Sequence, residues 1–217
     1  MKFPSMGGLL AMVFTMLMMP TLASAVEDEK FVIAFRMVKP KTMEFEDAKK
    51  GNDFIAALKK IGCAVKPEDH AGHMDVTYQQ VKWSELTVGS DALVHQWQGW
   101  LVKAGFETLH ADGADDGHDH EHGDPKGEGH DHEHGEILKF QAKEWIVKHF
   151  EDESDAKEFV AIGKGLGCEI KQDIHDGHAD VQVRCREIKH LECSSHEEAE
   201  GRVKWLQEFG FSAKHED

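Results

Sequence analysis

The sequence predicts an α+β fold in which one module is used twice, and three observations carry that prediction. The chain aligns with itself at a fixed offset of 105, residues 31–110 against 136–215, without a gap. Over that span about a quarter of the positions are identical, which marks a duplication. The matches include Phe54/Phe159, Gly62/Gly167, Cys63/Cys168, His70/His175, Gly72/Gly177, His73/His178, Asp75/Asp180, Trp100/Trp205 and Gly105/Gly210. Within each copy, stretches of helical period alternate with stretches of period two. Between the copies, from His118 to His134, runs a tract whose one apolar residue is Pro125. It has nothing to bury, so disorder is expected there.

Taken in order, residues 1–25 read as a secretory signal peptide. Lys2 is the basic start, Leu9 to Met19 the apolar run, and Ala23-Ser24-Ala25 the small-residue cleavage site. The run is too short to span a bilayer, and nothing downstream is long and apolar enough to do so. The expected product is exported, periplasmic or extracellular, with no membrane span after cleavage. The first module is expected over 26–111, the linker over 112–135 and the second module over 136–217. In the second, Trp145–Phe150 reads as a strand. Ser154 can cap a helix that runs to Leu166 and ends at Gly167. Cys168–Ile174 and Ala179–Cys185 alternate as half-buried strands, with Ile188–Cys193 continuing past a bulge. Ser195 and Glu198 form a capping box for a helix ending near Phe209, and Phe211–His215 is a last strand. The first module repeats this with helices near 47–61 and 90–104, and Phe31–Val38 is read as an extra strand ahead of it. The spacing of Trp97, Trp100 and Leu101 is that of core packing. The order βαββαβ predicts two tandem ferredoxin-like modules joined by a disordered histidine-rich linker.

The sharpest local signal is a hairpin around His175-Asp176-Gly177-His178. Asp-Gly is a favoured two-residue turn, and it sets partner numbers summing to 353. Ile174, Gln172, Ile170 and Cys168 then face Ala179, Val181, Val183 and Cys185 on the side expected to meet the helices. The other side carries His175 opposite His178 and Asp173 opposite Asp180. Cys168 and Cys185 fall at a non-hydrogen-bonded pair, close enough for the disulfide this reading predicts. The first copy repeats the polar side as Glu68, His70, His73 and Asp75, with partners summing to 143. Its Cys63 faces Gln80 and has no local thiol partner. Opposed histidines with carboxylates one register back are donors that a divalent ion can share.

The formal net charge of −16 argues against nucleic acid and anionic membrane surfaces as partners. The tract holds His118, His120, His122, His130, His132 and His134 alternating with carboxylates, a flexible supply of ligands for borderline metals. In composition it resembles the histidine-rich loops of zinc-uptake binding proteins and zinc transporters, over fewer than about twenty residues. No nucleophile elbow, phosphate-cradling glycine loop, HExxH helix or CxxC motif occurs, so no enzyme activity is expected. His95, His110, His149, His190, His196 and His215 read as surface or packing residues. The expected function is an exported protein that buffers, scavenges or delivers Zn(II), or nickel or copper in its place. The alternative is an exported interaction module, with another exported protein as partner and the tract as spacer.

Overall fold

The structure, a computed structural model, describes residues 31–113 and 136–215. The expected signal peptide and all six histidines of the tract lie outside the described residues. The chain divides into two compact units, one ending at Thr108 and one beginning at Leu109.

The first unit runs β1 (Phe31–Phe45), α1 (Ala48–Lys60), β2 (Ala64–His70), β3 (His73–Val88), α2 (Asp91–Ala104) and β4 (Glu107–Leu109). Its sheet has the order β2-β3-β1-β4, with β3 antiparallel to both β1 and β2. Phe31–Val38 is not an extra strand but the first half of β1. The register against β3 shifts between Phe35 and Met37 and again before Lys41, so one strand continues through Pro40 where pairing lapses. Asp47 caps α1 by accepting from the Lys49 and Lys50 N–H groups, and Ser90 caps α2. Gly105 ends α2 at φ 96°, a conformation that glycine adopts without strain. The core packs aromatic rings from every layer: Phe35, Phe45, Phe54, Tyr78, Trp100 and Phe106. Trp97 meets Trp100 edge-on at 5.5 Å, so this pair is packing. The buried Tyr78 hydroxyl donates to the Ala104 carbonyl at 2.7 Å, which satisfies a group that would otherwise be costly inside.

The second unit contains β5 (Asp112–Gly113), β6 (Glu136–Phe150), α3 (Glu153–Gly165), β7 (Glu169–His175), β8 (His178–Cys193), α4 (His196–Phe209) and β9 (Ser212–His215). Here β8 lies between β6 and β7, and β6 also pairs antiparallel with β9. Asp112 and Gly113, expected to open the linker, instead pair with His190 and Lys189. Trp145–Phe150 is only the second half of β6, which starts at Glu136 and crosses two register shifts. The α3 cap is Asp152 rather than Ser154; its carboxylate accepts from the Ser154 N–H at 2.6 Å. Ser195 caps α4 as expected, but Glu198 turns its carboxylate to Ser194, accepting from N–H at 2.8 Å and from Oγ at 2.6 Å. Leu138, Phe140, Phe159, Leu166, Val181, Val183 and Leu206 form the core. No helix among the described residues is long and apolar enough to cross a membrane.

Strand β8 shows how the sheet of the second unit is divided. Ala179, Val181, Val183 and Cys185 are buried, while His178, Asp180, Gln182 and Arg184 between them are half-buried. Side chains alternate across a strand, so these two sets occupy opposite faces, one under the helices and one open. The edge strand β7 departs from the expected pattern. Ile174 is 52% exposed, because at the tip of an edge strand the helix layer no longer covers it.

Candidate metal centre

Both hairpins form in the register that the turn residues imply. His175 pairs with His178 and Asp173 with Asp180; His70 pairs with His73 and Glu68 with Asp75. The turns differ in detail. Asp176 and Gly177 have φ of 48° and 84°, both left-handed, whereas in the first turn only Gly72 does, at 100°. Aspartate tolerates that region better than most residues and alanine does not, which matches the residue each turn uses.

At the first tip the His70 and His73 rings stack at 5.0 Å, and His70 Nε2 lies 3.5 Å from Asp75 Oδ2. One ligand atom from each of His70, His73 and Asp75 falls within 4.8 Å of the others. Glu68, on the same face one pair back, accepts from Lys66 at 2.6 Å. That lysine holds the Glu68 carboxyl below the usual carboxylate range, and its ammonium competes with any cation for the same carboxylate. The register also pairs Glu44 of β1 with Asp75, which adds a carboxylate to this face.

At the second tip the equivalent β6 residue is His149, which the sequence reading set aside. It pairs with Asp180, and its Nδ1 lies 2.7 Å from Asp180 Oδ1. A carboxylate can only accept, so Nδ1 donates here, and in the neutral imidazole the Nε2 lone pair is then left for another partner. The His149 ring stacks on His178 at 5.4 Å, and His175 lies 6.3 Å from His149 and 6.4 Å from His178. His178 Nδ1 is buried without a hydrogen-bond partner. Asp173 is brought to the same row by its pairing with Asp180. The offset that aligns the copies places His149 against Glu44 (149 − 105 = 44). The match goes unread until β6 is known to pair with β8.

Behind the second tip the open face becomes cationic. Lys171 and Arg184 lie over the Trp145 ring at 4.4 and 4.2 Å, and Arg184 donates to Glu169 at 2.7 Å.

Cys168 and Cys185 come together as the register requires, and both are thiols in this structure. They hydrogen-bond to each other, which raises the Cys168 pKa and lowers that of Cys185, with Lys189 also favouring the Cys185 thiolate. Cys63 is free and buried, and burial pushes its thiol up to about 12. The chain matches no protein-family model, and no curated protein is detectably similar to it.

Proposed function

We propose that this is an exported protein that binds divalent transition-metal ions, Zn(II) or a similar ion such as nickel or copper. In this reading the histidine tract between two ferredoxin-like modules collects the ion and the hairpin tips hold it. The strand order β2-β3-β1-β4, with helices after the first and third strands, supports the ferredoxin-like assignment of each module. The observation that carries the metal reading is the first tip, where His70, His73 and Asp75 offer three ligand atoms within 4.8 Å of one another. The buried His178 Nδ1, which has no hydrogen-bond partner, supports the same role at the second tip, because an unsatisfied buried imidazole nitrogen is stabilised by any partner it gains. The acidic composition favours cation capture. Export to an oxidising compartment would join Cys168 to Cys185.

Equilibrium dialysis of the mature protein against zinc tests the reading. The reference is a variant lacking 118–134 and carrying His70, His73, His175 and His178→Ala. The intact protein should take up more zinc, and less as pH falls through about 6.5, where imidazole becomes protonated. Equal uptake by both proteins would refute the metal role and leave the tract as a spacer between interaction modules.

A further inference from the structure

A corner of the second unit, apart from its hairpin tip, gathers residues that are far apart in the chain. Glu136 opens β6, His215 closes β9, and His196 is the first residue of α4. Glu136 pairs with Cys193 and His215 with Leu138, so both lie at the β6 end remote from His149. His215 Nε2 is 2.7 Å from Glu136 Oε2, and His196 Nδ1 is 4.0 Å from Glu136 Oε1. The two rings meet edge-on with centroids 4.9 Å apart. One ligand atom from each of the three residues lies within 4.8 Å of the others.

We infer that Glu136, His196 and His215 form a three-ligand site for a zinc-class divalent ion, separate from the hairpin tips. Donor atoms on a tetrahedral zinc lie about 3.3 Å apart, given bonds of about 2.0–2.1 Å. The observed separations of 2.7 and 4.0 Å bracket that value, so modest side-chain rotation suffices. The carboxylate beside His196 points the same way. His196 Nε2 lies 3.4 Å from Glu200 Oε1, one helical turn along. A proton on Nε2 directed to Glu200 leaves the Nδ1 lone pair facing Glu136 and His215, the arrangement that carboxylates impose on metal-bound histidines. Two imidazoles and a carboxylate leave a fourth position. His196 and His215 also line a cleft of about 490 Å³ with Glu200, Val203, Lys204 and Gln207, so a bound ion is reachable from solvent and exchangeable.

The site is specific to this copy. At the offset of 105, Glu136 corresponds to Phe31 and His196 to Asp91 (136 − 105 = 31; 196 − 105 = 91). Phe31 packs against the apolar core of its unit. Where the first module fills the corner with a ring, the second brings ligands there.

The test is imidazole nitrogen NMR on the full chain labelled with ¹⁵N-histidine, titrated with zinc chloride, because it reads each ring separately. The His196 and His215 ring nitrogens should shift together. Glu136→Gln should raise the zinc needed for both shifts by about tenfold or more. Backbone amide resonances away from the corner should stay put, which shows that the variant is folded. A second variant, His196→Asn, removes a 57% exposed side chain and should weaken the His215 response equally. Silence at both rings while the hairpin histidines respond would overturn this site alone. Shifts indifferent to both substitutions would also overturn it. Response here with silence at His70, His73, His175 and His178 would uphold it and count against the hairpins instead.

Discussion

The two hairpin tips share strand length, partner register and the trio of two histidines and an aspartate, yet differ in the residue that β1 or β6 supplies. In the first unit Glu44 pairs with Asp75; in the second His149 pairs with Asp180. As proposed metal sites, two imidazoles among carboxylates would make the first tip the harder donor set and three imidazoles the second the softer one. Of the two tips, the first is the one that brings three ligand atoms within 4.8 Å of one another. A duplication therefore need not yield two equal sites. The turn residues and one carboxylate of the hairpin differ as well, and in the proposed role one position on a neighbouring strand would change the donor set most.

The thiols extend the comparison and give the largest expected effect. Cys168 has Cys185 opposite, whereas Cys63 has glutamine there. Oxidised exported protein should show two free thiols, Cys63 and Cys193. Reduction should lower the denaturation free energy of the second unit by about 3 kcal/mol, since the closed loop is short, and leave the first unit unchanged. Four free thiols, or equal loss in both units, would remove this difference.

Exchanging the tip residues is the next sharpest test. His149→Glu should weaken nickel binding at the second tip by about tenfold or more, and Glu44→His should strengthen it at the first. Ring-nitrogen NMR of His178 and His73 would read each tip separately. Unchanged responses would show that the β1 and β6 residues take no part.

A smaller contrast lies in the helix caps. Burial pushes the Glu198 carboxyl up, but hydrogen bonds from Ser194 and Arg202 outweigh it and hold it below the usual carboxylate range. A folded-state pKa below the unfolded one adds stability above about pH 4.5, lost as pH falls through the folded value. Glu198→Gln should therefore cost about 1 kcal/mol near pH 7, a figure reduced for partial exposure, and almost nothing near pH 2. The first unit has Leu93 there (198 − 105 = 93), so its urea stability should lack this acid-sensitive part. A pH-independent loss would show that Glu198 acts by packing.

What could be read in advance follows the range of the interactions involved. The hairpin registers were legible because Asp176-Gly177 and Ala71-Gly72 name their own turns and a one-residue slip would mix the faces. Helix ends were legible to within a residue or two, since caps are local; Asp152 displaced Ser154 because both can cap and the earlier one won. The long first strands were not. Both cross register shifts, and alternation breaks at Lys39-Pro40-Lys41 and around Lys143-Glu144. With the start of β6 misplaced, the pairing of His149 with Asp180 could not be foreseen.

The chain's order of residues by itself determined the duplicated α+β plan, the register of each hairpin, and the concentration of imidazole between the copies. These depend on periodicity and on neighbours a few positions away. The tertiary structure alone decided that His149 joins the second tip and that Glu136, His196 and His215 meet, the last contact spanning 79 residues. Such meetings depend on which strands pair and where bulges shift them, and no spacing along the chain encodes that.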